Sequence, residues 1–307
     1  MSTVRIAHFS DTHVLSLTGM GPGRFLNKRL TGAVNLALNR SRHYRVEIFE
    51  ALLRAVKAIN PDHSVCTGDL VNLALEPEFE RVGQILESHF ASDELTVVPG
   101  NHDYYVKEAV QGRLFEKTFG QWQPQAVTVG SESGPYPVVR LLNDVAVIGI
   151  NSAIPTPVFM ASGRLGAQQL ADMRLILNHN EVKDRFVICL VHHPLLPEPA
   201  RRLDVTRRLE DADDFIRLLQ SEGPKSVDLV VHGHNHEFKR QRVPDTSIPL
   251  IQVGSASRAG KVRRAEFNVY VISDGELRSI ERHIHDPMTD RFMPCDEAGH
   301  PLATDAA

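Results

Sequence analysis

Five short motifs in this sequence place histidine, aspartate or asparagine directly after an apolar run. The motifs are Asp11-Thr12-His13, Gly68-Asp69, Gly100-Asn101-His102-Asp103, His192 and Gly233-His234-Asn235-His236. Clustered imidazoles are typical of metal sites. Mixed imidazole, carboxylate and amide ligands suit borderline or hard divalent ions such as Mn²⁺, Fe or Zn²⁺, rather than a thiolate site. The set is too large for one tetrahedral ion, but it fits two ions about 3.5–4 Å apart, the clamp used in phosphoryl transfer.

Each motif taken alone also has an explanation without chemistry. A Gly-Asp pair after a strand is most often a turn. A single histidine at a strand end is more often hydrogen-bonded than metal-bound, and an Asp-x-His pair occurs by chance. The chemical interpretation therefore depends on the five motifs occurring together.

The apolar runs before the motifs predict strands that could bring them to one place. These strands cover residues 4–9, 63–67, 95–98, 186–191 and 227–231. In extended chain, residues i and i+2 point to the same face, so the histidine pair of the last motif would present two donors to one region. The same argument applies to Asp11 and His13. Ligands and catalytic groups gather at the strand ends of α/β sheets.

The remaining pattern predicts an α/β core in one domain. Amphipathic helices are predicted near 46–59, 77–90, 106–119, 167–179 and 209–219, a hairpin at 138–150, and strands near 238–243, 249–253, 266–272 and 277–284. We assign residues 1–285 to this domain and residues 286–307 to a C-terminal tail, either a surface strap or disordered. The basic residues 16–45 are interpreted as a lid or insertion, with a solvated helix face as the alternative.

The composition excludes several classes of protein. The chain has 307 residues, is 42% hydrophobic and 23% charged, and carries a formal net charge of −4, so it shows no general nucleic-acid footprint. Its three cysteines form no disulfide framework and fit a reducing cytoplasm. No apolar run is long enough for a transmembrane segment, and the first run predicts a strand rather than a signal peptide. We therefore expect a cytoplasmic protein.

In this order, the five motifs resemble those of the calcineurin-like metallophosphoesterase superfamily. Within it, they are most similar to the bacterial class III cyclic-nucleotide phosphodiesterase group. The resemblance covers roughly residues 4–272 and implies an αββα sandwich of two mixed β-sheets flanked by helices. Three residues after Asp69 the chain has Asn72, where purple acid phosphatases carry a metal-binding tyrosine. The Asp-Arg-Gly continuation of Ser/Thr protein phosphatases is also missing there.

The family pattern implies seven metal ligands in two groups that share one carboxylate. The ligands are, for the first metal, Asp11, His13 and His236; for the second, Asn101, His192 and His234; and for both, Asp69. His102 would be the catalytic residue beside the substrate, with Asn72 as a neutral group that could orient it. His193 and His232 would lie behind the ligands, and Asp103 would be structural, capping the next helix.

A count of charges at such a centre supports phosphate binding. Two divalent ions carry four positive charges. The carboxylates of Asp11 and Asp69 neutralise only two of them, because histidine and asparagine are neutral ligands. The excess could hold hydroxide and an anionic phosphodiester together, since bound metal lowers the pKa of water toward ~7. The expected reaction is attack of a metal-bridging hydroxide on a small phosphodiester such as a 3′,5′-cyclic nucleotide. His102 would protonate the leaving alkoxide or donate a hydrogen bond to it.

Several alternatives stay open at this point. A phosphomonoesterase or a nucleotide-sugar pyrophosphohydrolase could use the same fold, and a non-catalytic scaffold could keep it to bind a partner. The basic segment could also rest on anionic lipid. Mn and Fe are favoured as the two divalent ions over Zn. The oligomeric state is open, with a homo-oligomer as one alternative.

Overall fold

A computed structural model of the chain describes residues 3–16, 18, 44–129, 134–198, 206–221, 226–260 and 263–302. Over these residues, twelve strands form two six-stranded sheets. The strands are β1 Val4–Phe9, β2 His63–Cys66, β3 Leu95–Val97, β4 Val138–Leu142, β5 Val145–Gly149, β6 Phe186–Leu190, β7 Leu229–His232, β8 Lys239–Arg242, β9 Pro249–Gln252, β10 Glu266–Ser273, β11 Glu276–Asp286 and β12 Arg291–Cys295. The helices are α1 Val46–Ile59, α2 Glu76–Glu87, α3 Lys107–Gln111, α4 Leu114–Phe119, α5 Ala167–Leu177 and α6 Ala212–Gln220, with a 3₁₀ turn at Gly120–Trp122.

Both sheets are mixed. The first has the order β12-β11-β10-β1-β2-β3, in which β1, β2 and β3 are parallel and β10, β11 and β12 pair antiparallel. The second has the order β4-β5-β6-β7-β9-β8, in which β5, β6, β7 and β9 are parallel. Its two edge strands, β4 and β8, are antiparallel to their neighbours.

Alternating burial along the strands builds four layers. Ile6 of β1 and Ile188 of β6 belong to one apolar cluster between the two sheets. The next residue along β1, Ala7, lies instead in the cluster that packs the first sheet on α1 to α4. Val187 of β6 lies in the cluster that packs the second sheet on α5 and α6. Strands buried on both faces are near-continuous apolar runs, and the predicted αββα sandwich is confirmed.

One predicted helix is in fact two. The pattern over residues 106–119 predicts a single helix, but α3 ends at Gln111 and α4 begins at Leu114. Between them, Arg113 has a left-handed backbone with φ of 51°. Gly112 before it has low helix propensity, which favours termination at this point.

The first sheet extends beyond the predicted start of the tail. β11 runs to Asp286, and β12 pairs with it from Arg282↔Cys295 to Asp286↔Arg291. The prediction of a strap or disorder is therefore wrong for Arg291–Cys295. The run is only five residues long and contains Pro294, so its pattern is the weak one of an edge strand.

Three further sequence expectations concern the basic segment, membrane-spanning helices and the cysteines. The predicted lid at 16–45 falls outside the described residues except at its two ends. Within the described ranges, no helix has the length and apolar character needed to cross a membrane. The three cysteines are buried free thiols.

Candidate metal centre

The five motifs follow five parallel strands at their carboxyl ends. Asp11 and His13 follow β1, Asp69 follows β2, and Asn101 follows β3, which are neighbours in the first sheet. The other two motifs follow β6 and β7, which are neighbours in the second sheet. Because the carboxyl ends of parallel strands lie along one edge, each sheet contributes its motifs as one group.

The backbone at these strand ends is left-handed at five of the seven predicted ligands. Positive φ angles are found at Asp11 (58°), His13 (46°), Asp69 (54°), His234 (74°) and His236 (59°). The expectation that the i, i+2 pairs converge because they are extended is therefore wrong. Such backbone costs a non-glycine residue about 1–2 kcal/mol and is concentrated at functional sites.

Hydrogen bonds from neighbouring loops hold the strained loop after β1 in place. The backbone N–H of Asp11 donates to the Gly68 carbonyl at 2.9 Å. The hydroxyls of Ser255 and Ser257 donate to the carbonyls of Asp11 and Thr12 at 2.7 and 2.6 Å. The loop is therefore fixed from both sides, by the loops after β2 and β9.

Two glycines are required because the site approaches their backbone closely. A Cβ on Gly100 would lie 2.3 Å from Asp69 Oδ1 and 2.7 Å from His192 Cε1. A Cβ on Gly233 would lie 2.4 Å from Asp11 Oδ2. The glycines of the motifs thus let the carboxylates pack against the neighbouring strand ends.

The first group of donors contains Asp11, His13, Asp69 and His236. His236 Nε2 lies 2.9 Å from Asp11 Oδ1 and 2.9 Å from His13 Nε2. His13 Nε2 lies 3.7 Å from Asp69 Oδ2. One ligand atom from each of the four residues lies within 4.8 Å of the others, and all but the nearly buried His236 are fully buried.

The second group contains Asn101, His192 and His234, again with Asp69. Asn101 Oδ1 lies 2.9 Å from His234 Nδ1 and 3.2 Å from His192 Nε2. His192 Nε2 lies 3.5 Å from Asp69 Oδ2. Asp69 Oδ2 therefore lies between the two groups, and the structure brings all seven predicted ligands together.

The electrostatics of the site favour bound positive charge. Burial alone would raise the pKa of Asp69, but the charges of His192 and His102 lower it well below its usual range. Burial would also raise the pKa of Asp11, but His236 and His13 lower this carboxyl pKa well below its usual range. Both carboxylates are therefore ionised at neutral pH.

The imidazole of His192 shows that the buried site fits a cation. Its Nδ1–H donates to the Thr67 carbonyl at 2.7 Å, so Nε2 is the atom that points at Asp69 and Asn101. Burial opposes a charge there, yet the Asp69 carboxylate raises the pKa of His192 to about 9. A metal ion would displace that proton, and the carbonyl behind the ring would hold its orientation.

His102 lies beside the first group rather than within it. Its backbone N–H donates to Asp69 Oδ1 at 2.7 Å, and its Nδ1–H donates to the Asn72 carbonyl at 2.6 Å. Its ring meets the His13 ring edge-on at 4.8 Å and stacks on Tyr105 at 5.3 Å. Asn72 thus orients His102 through its backbone, while its side chain donates to the His13 carbonyl at 3.0 Å.

Asp103 supports the loops instead of capping a helix. Its carboxylate accepts backbone N–H groups of Leu70, Val71 and Gly100 at 2.9, 3.1 and 2.8 Å. The structural role is as predicted, but the expected cap is wrong, because the residue preceding α3 is Val106. Burial and the charge of Asp69 raise the pKa of Asp103 to about 7.

The two histidines predicted behind the ligands are fully buried. His193 Nδ1 hydrogen-bonds to Ser152 Oγ at 2.8 Å, and one of its ring nitrogens lies within 4.8 Å of the ligand atoms of His192 and His234. Burial lowers the pKa of His232 to about 4. Both rings are therefore neutral packing partners at neutral pH, since burial and the charge of His192 also lower the pKa of His193.

The sequence patterns did not identify the residues that hold the predicted ligands in position. Tyr44 Oη lies 2.9 Å from His236 Nδ1, and Ser255 and Ser257 hold the loop after β1. Tyr44 has no motif around it. The two serines follow β9 in the same way as the motifs follow their strands, and this position was the available signal.

A cavity of about 1040 Å³ lies beside the first group. His13 and Tyr44 line it, together with Thr12, His285 and Met288. This volume is close to the upper limit of about 1,000 Å³ for small-molecule sites. It therefore gives space for an organic group next to the donor cluster.

Three solved structures share this fold at low sequence identity. A purple acid phosphatase from yellow lupin has a TM-score of 0.53 at 13% identity, over 100% of this chain and 57% of that protein. SoxB, a sulfate thiohydrolase of Thermus thermophilus, has a TM-score of 0.53 at 13% identity, over 95% and 58%. The NAD nucleotidase of Haemophilus influenzae has a TM-score of 0.50 at 12% identity, over 99% and 54%. The chain thus spans little more than half the length of these proteins, and the likeness shows the fold alone.

The evidence for a protein family comes from the sequence itself. No curated protein matches the chain significantly. Residues 4–238 match the profile of the calcineurin-like phosphoesterases, and this range contains all five motifs. The fold agrees with that match, and so do the two donor groups, one of aspartates and histidines and one of histidines. The chain belongs to the calcineurin-like phosphoesterase family.

Proposed function

We propose that this protein is a dinuclear metal-dependent phosphodiesterase that hydrolyses small phosphodiesters. Cyclic 3′,5′-nucleotides are the favoured substrates, as in the class III group that the motifs resemble. One observation carries the proposal: Asp69 Oδ2 lies 3.7 Å from His13 Nε2 and 3.5 Å from His192 Nε2. A single carboxylate oxygen thus faces both donor groups, as a bridging ligand requires.

The two donor groups support one set of ligands for each of two ions. The first ion would be held by Asp11, His13 and His236, the second by Asn101, His192 and His234, and both by Asp69. Mn²⁺ or Fe are the favoured ions, with Zn²⁺ as the alternative, because the ligands are imidazole nitrogens and oxygens without a thiolate. When bound, such ions lower the pKa of water and neutralise phosphoryl oxygens.

The contacts of His102 support a role at the leaving group. Because its Nδ1–H donates to the Asn72 carbonyl, Nε2 of the protonated ring is the atom that would donate to the leaving group. The N–H bond to Asp69 Oδ1 fixes the residue against the bridging carboxylate. Donation of a proton or hydrogen bond from a residue so positioned contributes about 10²–10⁴-fold to rate.

The charge at the centre favours a diester over a monoester. Two divalent ions and the carboxylates of Asp11 and Asp69 leave two positive charges in excess. A deprotonated water and a phosphodiester monoanion together balance this excess. A monoester dianion would leave one negative charge over in a buried site, where unpaired charge is costly.

The test is hydrolysis of bis(p-nitrophenyl) phosphate with and without added Mn²⁺. We expect metal-dependent turnover that is lost in Asp69→Ala and His102→Ala. The control is His300→Ala, which removes an exposed histidine bonded to Asp296. An absence of metal-dependent turnover, or full activity in both site variants, would overturn the proposal.

Two further measurements separate the alternatives. Faster hydrolysis of p-nitrophenyl phosphate than of the diester would favour a phosphomonoesterase. Bound metal measured by mass spectrometry separates an enzyme from a scaffold without metal. A panel of cyclic nucleotides and glycerophosphodiesters then identifies the substrate class, and turnover of glycerophosphodiesters alone would contradict the nucleotide assignment.

A further inference from the structure

Tyr44 contacts two of the residues assigned to the first metal. Its hydroxyl lies 2.9 Å from His236 Nδ1. Its ring centroid lies 4.8 Å from that of His13 and 5.7 Å from that of His236, which it meets nearly edge-on at 85°. The side chain therefore packs behind both imidazoles on the cavity side of the site.

The backbone around Tyr44 is fixed to the loop that also holds the metal ligands. Tyr44 forms an antiparallel bridge with Arg258, and the backbone N–H of Arg45 donates to the Ser257 carbonyl at 3.0 Å. The hydroxyl of Ser257 donates in turn to the Thr12 carbonyl at 2.6 Å. One loop thus sets the position of both Tyr44 and the loop that carries Asp11.

The contact at Nδ1 determines which nitrogen of His236 can bind metal. A neutral imidazole carries one proton, and a nitrogen that binds metal cannot hold it. His236 Nε2 faces Asp11 Oδ1 and His13 Nε2, so Nε2 is the ligand atom. The proton must then lie on Nδ1, and Tyr44 Oη is the oxygen that accepts it.

We propose that Tyr44 is a positioning residue for the first metal, which holds the tautomer and ring orientation of His236. The inference rests on the two-metal centre of the proposed function. At the second group, the Thr67 carbonyl performs the same task for His192. The effect of Tyr44 should therefore be confined to one of the two ions.

The first experiment is a Mn²⁺ titration of the full chain and of its Tyr44→Phe variant. Calorimetry and the EPR signal of free Mn²⁺ monitor the binding. Loss of a partner behind a ligating histidine typically costs 10–100-fold in metal affinity. We expect the Mn²⁺ affinity of the first metal site to fall by this factor in Tyr44→Phe, and that of the second site to stay unchanged. The matched control is Tyr104→Phe, which removes a hydroxyl bonded to Glu116 and should change neither affinity.

The second experiment needs no variant. In protein labelled with ¹⁵N-histidine and loaded with Zn²⁺, long-range ¹H–¹⁵N spectra should show the proton of His236 on Nδ1. A proton on Nε2 would overturn the inference, and so would wild-type affinity for both ions in Tyr44→Phe. If the wild-type protein bound no metal at all, the proposed function would fail instead, so the two failures are distinguishable.

Discussion

Replacing Gly100 by alanine tests whether activity depends on the position of the Asp69 carboxylate, which we propose to bridge the two metals. The added Cβ would lie 2.3 Å from Asp69 Oδ1 and 2.4 Å from Asp69 N, whereas ordinary contacts begin at 3.4 Å. Because one of these atoms is backbone, a side-chain rotation cannot relieve both contacts. The loop that carries Asp69 must therefore withdraw by about 1 Å.

Such a shift has a calculable effect on activity and stability. A misplacement of about 1 Å at a reacting centre costs on the order of 10²-fold in rate. Forcing an extra carbon into a packed interior typically costs about 1–3 kcal/mol of unfolding free energy. We expect Gly100→Ala to lose activity about 100-fold and to be destabilised within this range.

The assay compares kcat/KM for bis(p-nitrophenyl) phosphate with Mn²⁺, and urea unfolding, in wild type and variants. Gly120→Ala is the matched control, because within the described residues no atom beyond its local backbone lies within 4 Å of the added Cβ. It should keep wild-type activity. If Gly100→Ala turned over at the wild-type rate, the close approach around Asp69 would not govern catalysis.

Three further predictions concern catalysis, pH and metal. His102→Ala should lower kcat by about 10²–10⁴-fold but keep its bound metal, because its backbone N–H, not its side chain, binds Asp69. Rate measurements beside metal analysis check this, and loss of metal would contradict it. Burial lowers the pKa of His63 to about 3, so only the unfolded chain takes up this proton as pH falls below about 6.5. The free energy of unfolding should therefore lose about 1.4 kcal/mol per pH unit from this group, and urea unfolding of His63→Gln between pH 6 and 4 should show a slope smaller by that amount. Chelation by EDTA should lower the Tm measured by calorimetry, and Mn²⁺ at 100 times its Kd should restore about 2.7 kcal/mol per site; an unchanged Tm would refute metal-linked stability.

The sequence predicted the elements whose signal is local and strong. Apolar periodicity placed α1 at the bounds that the structure shows, Val46–Ile59. The runs before the motifs predicted β1, β6 and β7 to within about two residues, because strands buried on both faces are continuously apolar. Since each motif follows such a strand, the convergence of the ligands followed from topology.

The conformations at the strand ends could not be predicted in this way. The left-handed backbone of His13 and His236 is set by contacts between loops far apart in sequence, not by the preference of either residue. Tyr44 and Ser255 hold these loops from positions 192 and 244 residues away from their partners. No pattern of composition or spacing encodes such contacts, because their partners become neighbours only in the fold.

These supporting contacts explain how the predicted ligands keep a strained backbone. Left-handed backbone at Asp11 and Asp69 would relax in an isolated loop, since each residue costs about 1–2 kcal/mol. In the fold, Ser255 and Gly68 fix the backbone of Asp11, and Asp103 accepts the two N–H groups that follow Asp69. The rigidity of the centre thus depends on hydrogen bonds from groups outside the seven predicted ligands. Asp103→Asn should consequently disturb metal binding as much as stability, because its three backbone bonds set the loop from which Asp69 reaches both donor groups.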